Sequence, residues 1–155
     1  MAEKITKVAK VKKVEKVSKP SPVKVKTDRY FEAVGRRKTA IARVRLYNRA
    51  GGVLVNEKDY LKYFPTARLQ QMAFSPLEKT KLNGKADVTV RVSGGGMSSQ
   101  AEAVRHGLSR ALVLFDANLK ALIKGLGYLK RDPRMVERKK FGLKKARRAP
   151  QWAKR

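Results

Sequence analysis

Twenty-seven positive charges without acidic partners set the first limit on this chain: 39 lysines and arginines stand against 12 aspartates and glutamates in 155 residues. A small soluble domain ordinarily carries a net charge of about 2–8. A surplus several times larger opposes compaction unless a polyanion neutralises it. An autonomous enzyme acting on neutral metabolites is disfavoured on that ground. There is no cysteine, which excludes disulfide scaffolds, thiolate metal sites and cysteine nucleophiles and fits a reducing compartment. No apolar run approaches the ~20 residues of a membrane span. The N-terminus has neither an apolar signal core nor a small-residue cleavage site, so neither a membrane partner nor a secretory leader is expected.

The charge divides the chain into an arm, a body and a tail. Residues 1–28 hold nine lysines against three acidic residues, a surplus of six. Their Lys/Val pattern, Pro20 and Pro22, and the lack of aromatics predict an extended, solvated arm. A short helix over 3–17 is the alternative, marginal without a partner. Residues 29–127 carry 18 basic and seven acidic residues and nearly all the patterned hydrophobics, enough for one small core. Residues 128–155 carry 12 basic and two acidic residues. Their apolar residues are sparse and Pro133 and Pro150 interrupt helix, so no independent core is expected there.

Within the body, Ala40, Ala42, Val44 and Leu46 alternate with Ile41, Arg43, Arg45 and Tyr47, the pattern of a half-buried strand with a basic outer face. Tyr30–Val34 reads as its hairpin partner, with Gly35–Lys38 as the turn. Gly51-Gly52 leads to a short strand at Val53–Val55. Short helices are expected over 57–64, ending at Pro65, and over Ala67–Phe74 with Thr66 as N-cap. Leu77–Leu82 and Ala86–Val92 flank Asn83-Gly84, a hairpin signal, with Val88, Val90 and Val92 pointing inward. After Gly94-Gly95-Gly96, Ser98–Phe115 reads as an amphipathic helix burying Ala101, Val104, Leu108, Ala111, Leu112 and Phe115. A shorter helix over 118–126 is closed by Gly125 and Gly127. The fold class is α+β: a two-layer body with a mixed, largely antiparallel sheet covered by helices on one face.

Candidate chemistry points to phosphate. Arg36, Arg37 and Lys38 fall in the predicted hairpin tip, and Arg43 and Arg45 share one strand face, with no acidic residue between Gly35 and Asn56. Such a cluster favours phosphate contact over a merely solvated face. Gly94, Gly95 and Gly96 precede a helix, where free N–H groups and the helix dipole suit an anion. A tight strand-to-helix turn explains the same glycines, and no Lys-Ser/Thr completes a nucleotide-binding loop. In the tail, Lys139, Lys140, Lys144, Lys145, Arg147 and Arg148 interleave with Phe141 and Trp152, cations for phosphate and rings for unpaired bases. Twenty-eight extended residues reach ~90 Å, several times the ~13 Å radius of gyration of a 100-residue body. Ordering such a tail alone is costly, so a large preformed RNA surface is its expected support. His106, the one histidine, lies on the polar side of its helix one turn from Glu102 and reads as a surface residue or an RNA contact. Asp87, Glu102, Asp116 and Asp132 are scattered without metal or acid–base spacing. No cofactor, metal or catalytic residue is expected.

Gly35-Arg36-Arg37-Lys38-Thr39-Ala40-Ile41-Ala42-Arg43-Val44 resembles the opening motif of the small-subunit ribosomal protein nine family. Gly94-Gly95-Gly96-Met97-Ser98-Ser99-Gln100, followed by Ala103, Gly107, Ser109, Arg110, Ala111 and Leu112, resembles its signature. Leu129–Lys140 and Arg147–Arg155 are also similar, so the likeness runs over residues 30–155. It implies the fold of the second domain of small-subunit ribosomal protein five and a structural role in the head of the small subunit, in the cytoplasm. Implied partners are small-subunit ribosomal RNA, P-site tRNA and neighbouring head proteins, without homo-oligomerisation. Carried over by position, Arg36–Lys38 and the segment Lys139–Arg148 would bind ribosomal RNA; Arg105, Arg131, Arg134 and Arg138 are further expected contacts to it. Lys154 and Arg155 would touch the tRNA anticodon stem-loop. The family's terminal Phe-Ser-Lys-Arg is here Trp152-Ala153-Lys154-Arg155, which loses a hydroxyl but keeps a stacking ring. The arm of 1–28 exceeds the short bacterial form and is expected to lie on nearby RNA or protein.

Two other readings fit the charge. An architectural DNA-binding protein would need a recognition helix or minor-groove wedge, and neither helix-turn-helix nor basic-zipper patterning is present. An RNA-processing enzyme would need an acid–base or metal constellation that the spacing does not supply.

Overall fold

A computed structural model describes residues 29–153; the arm, and Lys154 and Arg155 with the contact expected of them, lie outside the described residues. Strands β1 (Tyr30–Arg37) and β2 (Ala40–Tyr47) form an antiparallel hairpin. Strands β3 (Val53–Val55) and β4 (Lys58–Asp59) form a second. Helices α1 (Tyr60–Tyr63) and α2 (Ala67–Lys79) lead to β5 (Asp87–Ser93), then α3 (Met97–Phe115) and α4 (Leu119–Gly125). The sheet order is β1-β2-β5-β3-β4, with only β3 and β5 parallel. Helices α2 and α3 pack on each other, and α3 lies across β1 and β2. This is the mixed, largely antiparallel sheet with one helical layer that the hydrophobic pattern predicts.

The core follows from period-two alternation meeting a helical stripe. Ala40, Ala42, Val44 and Leu46 of β2, and Val88, Val90 and Val92 of β5, face Val104, Leu108 and Leu112 of α3, all buried. Each full burial of a Val or Leu side chain contributes about 1.5–3 kcal/mol. Phe115 is only partly buried and meets Phe31 edge-on. Small residues let helix and strand approach closely: a Cβ on Gly35 would fall 1.9 Å from the Ala103 carbonyl oxygen, and one on Gly107 2.8 Å from a Val44 methyl.

Three local expectations are corrected. The β1–β2 turn is Lys38-Thr39, not Gly35–Lys38, because Gly35 is needed inside the strand for that close approach. Arg36 and Arg37 are therefore strand residues rather than a hairpin tip. Second, residues 77–82 are not a strand, and Asn83-Gly84 joins a helix to β5. Helix α2 runs on through Pro76 to Lys79. Proline cannot donate to the Met72 carbonyl, and the Ser75 hydroxyl donates to it instead at 3.2 Å. Third, the predicted helix over 57–64 shrinks to Tyr60–Tyr63. Asn56 and Glu57 both hold positive φ, 48° and 66°, as a two-residue hairpin turn demands. Asn56 also extends the β3–β5 ladder, its side chain accepting from the Val92 N–H at 2.8 Å and donating to the Val92 carbonyl at 3.0 Å.

Candidate nucleic-acid interface

Of the features that the sequence marks for phosphate, the glycine loop, Arg36 and Lys38 meet at one end of the sheet, whereas Arg43 and Arg45 lie mid-strand on the outer face of β2. Gly94 and Gly95, with φ of 71° and 65°, end β5 against the β1–β2 turn. A Cβ on Gly94 would sit 2.6 Å from the Thr39 carbonyl oxygen. Gly96 then occupies the N-cap of α3 without a side-chain cap bond, leaving the first N–H groups of that helix for an anion or water. Lys38, at φ 51°, projects from the adjoining turn. The glycines therefore act both as the tight turn and as the approach to an exposed helix N-terminus.

The tail root reaches the same end. Helix α4 closes with Gly127 at φ 73°, the Gly127 N–H donating to the Lys124 carbonyl and the Tyr128 N–H to that of Ile123. This paired C-terminal cap reverses the chain. It delivers Tyr128 and Leu129 onto the core and places the Tyr128 ring 5.1 Å from the Arg105 guanidinium. A shallow cleft there is lined by Arg36, Arg105, Lys130 and Arg131 among others. It adjoins an open groove of about 380 Å³ along Lys130–Arg134.

Ion pairing separates the predicted cations into two groups. Arg37, its side chain only 12% exposed, bonds Glu102 at 2.5 Å and Asp132 at 3.2 Å. Arg43 and Arg45 share Glu32, the latter at 2.9 Å. Hydrogen bonds from Arg43, above all, hold the Glu32 carboxyl below its ordinary range, against some desolvation. Arg134 chelates Asp132 at 3.0 Å; this bond, with the Arg134 backbone N–H, pulls the Asp132 carboxyl down to about 2. Lys140 and Arg147 share Glu137 at 3.1 and 2.8 Å. Among the described residues, Arg36, Lys38, Arg131, Arg138, Lys139, Lys144, Lys145 and Arg148 have no carboxylate at ion-pair distance. Arg105 stacks on Tyr128 without a carboxylate partner. Of the further described cations without a carboxylate partner that the sequence-based set omits, two adjoin its members. Lys130 adjoins Arg131 in the same basic run, and Arg91 lies directly across from Arg43 in the β2–β5 register; period-two alternation marks it as outward-facing.

Beyond Asp132 the tail has no helix or strand through Ala153. Phe141 is 99% exposed and Trp152 79%. Their apolar faces meet no core and lie among cations.

His106 departs from the expected surface position. It is half-buried, and its Nδ1 accepts from the Arg36 backbone N–H at 3.3 Å. Burial first, and Arg110 next, hold its pKa below the usual 6.5, while a hydrogen bond to the Leu129 backbone pulls the other way. Glu102 is turned to Arg37 rather than to His106. His106 and Glu102 are thus each held in structural bonds rather than paired with each other. Among the described residues, no group of His, Asp and Glu could hold a metal ion, and no helix is long and apolar enough to cross a membrane.

A compact α+β body, basic at one end and drawn out into a cationic tail with solvent-facing aromatic rings, is built to bind a structured polyanion. Residues 35–155 match the family described as Ribosomal protein S9/S16. The chain belongs to that family: it is a structural ribosomal protein that binds ribosomal RNA and works in translation within a ribonucleoprotein, alongside other ribosomal proteins.

Proposed function

We propose that this protein sits as a single copy in the head of the small ribosomal subunit, in the cytoplasm, and acts at two distances. The body holds ribosomal RNA at the glycine-loop end. There Arg36, Lys38, Arg105, Lys130 and Arg131 meet phosphates, and the Gly94–Gly96 loop offers N–H donors to one more. The paired cations Arg37 and Arg134 shape this end rather than contact RNA, while Arg43 and Arg45 add one net charge beside Glu32. The tail, through Arg138, Lys139, Lys144, Lys145 and Arg148, follows RNA toward the P site. Its terminal Lys154 and Arg155 then contact the anticodon stem-loop of bound tRNA.

The observation that carries this reading is the tail itself: exposed Phe141 and Trp152 set among unpaired cations, with no core of their own. Large exposed apolar side chains in a soluble protein mark an interaction site. Rings spaced by cations suit RNA, where bases stack and phosphates pair. The test is removal of Lys154 and Arg155 alone. Subunits should assemble normally, while P-site tRNA affinity falls about tenfold, the equivalent of ~1.4 kcal/mol. Normal subunits with unchanged tRNA affinity would refute the tail's role.

A further inference from the structure

The sequence marks Arg37 as one cation of a phosphate-binding triplet, but its surroundings are those of an internal fastener. Period-two alternation along β1 turns Phe31, Ala33, Gly35 and Arg37 to the helical side. There the Arg37 side chain is largely covered. Its guanidinium joins three parts of the chain: β1 itself, α3 through Glu102, and the tail root through the Asp132 carboxylate and the Arg134 carbonyl. The tail side is itself pre-shaped. The Arg134 N–H donates to Asp132 Oδ1 at 2.9 Å across Pro133, and the Arg134 side chain grips the same carboxylate. One turn along α3, His106 ties the Arg36 backbone to the helix beside Leu129.

We propose that Arg37 is a positioning residue: with Glu102 and Asp132 it clasps the tail root to the body and fixes the direction in which the tail leaves, before RNA is bound. The clasp moves the pivot of the tail from Leu129, the last residue packed on the core, to just beyond Arg134. The tail beyond Arg134 then hinges from a fixed point, and each residue pinned beforehand is one whose freedom RNA binding need not remove. A guanidinium suits this post because its planar fork reaches two carboxylates and a carbonyl at once; an ammonium offers no such fixed geometry. The proposal builds on the tail reading above. Its readout, however, is a distance within the free protein, so the two fail separately.

The chain has no cysteine, so two introduced ones label cleanly. Leu114→Cys on α3 and Val136→Cys beyond the clasp are both exposed positions. With spin labels there, the full-length protein should give one narrow distance distribution by double electron–electron resonance. Arg37→Ala should make it at least about twice as wide, as expected of a segment released to move freely. Arg37→Lys, which keeps the charge and loses the fork, should fall between. Asp132→Asn lies outside the sheet and helices, so it widens the distribution even if Arg37→Ala fails to fold. A distribution already broad in the unsubstituted clasp would overturn the proposal. So would one that stays narrow in the folded variants while their thermal midpoint falls, since Arg37 would then only stabilise the body.

Discussion

At the scale of single residues, what a side chain touches decides its role more than its charge does. Arg37, Lys38 and Arg36 are consecutive cations, yet one is enclosed by carboxylates, one projects from a turn, and one lies exposed above His106. His106 shows the same dependence on surroundings. The fold favours its neutral form, because burial and Arg110 lower its pKa, whereas in the unfolded chain it titrates near 6.5. The unfolded state therefore binds more protons below that value. The stabilising contribution is complete above pH ~6.5 and is lost as pH falls from there toward the folded pKa. His106 is the only histidine, and ordinary carboxylates titrate lower, so the window from about pH 7.5 to 5.5 reports chiefly on it. The thermal midpoint should fall across that window, and His106→Gln should flatten the fall. An equally steep fall in the variant would place the titration elsewhere.

At the scale of elements, the body depends on the close approach of α3 to β1. Alanine in a helix is ordinarily about 1 kcal/mol better than glycine. At position 107, the added Cβ would lie 2.8 Å from a Val44 methyl and 2.9 Å from the Gly35 nitrogen. Overpacking of that kind costs about 1–3 kcal/mol, so Gly107→Ala should lower the urea midpoint despite the better propensity. Gly35→Ala, aimed at backbone 1.9 Å away, should be worse. A raised midpoint for Gly107→Ala would show that the layers can move apart. These two glycines also mark the limit of sequence reading. The alternation in β2 and β5 and the stripe of α3 were legible because each repeats a period set by its own backbone. Gly35 was not, since a glycine before three cations looks like a turn until the helix above it is seen. Shifting the turn by those residues is what misplaced Arg37, whose inward face follows at once from the correct register. Likewise the helix expected over Ala67–Phe74 runs on through Pro76, where the Ser75 hydroxyl takes up the Met72 carbonyl that the proline leaves without its N–H donor.

At the scale of the whole molecule, a chain of this charge is organised by how little of the charge is neutralised internally. The basic character of the glycine-loop end and of the tail was legible from composition and motif. The separation of those cations into paired and unpaired was not, because Glu102 and Glu32 reach their arginines across 65 and 13 or fewer residues, through tertiary contacts. The tail root was equally hidden: only the cap at Gly127 brings Lys130 and Arg131 beside Arg36. That these unpaired cations bind ribosomal RNA is the central proposal. It is tested by the salt dependence of affinity for small-subunit head RNA, comparing the full chain with a triple variant Arg36→Gln, Lys38→Gln, Arg131→Gln that leaves every described ion pair in place. Each phosphate contact contributes about 0.7–0.9 to the slope of log affinity against log salt. The slope for the variant should be shallower by about 2–3, with affinity reduced most at low salt. An unchanged slope at equal fold stability would contradict it.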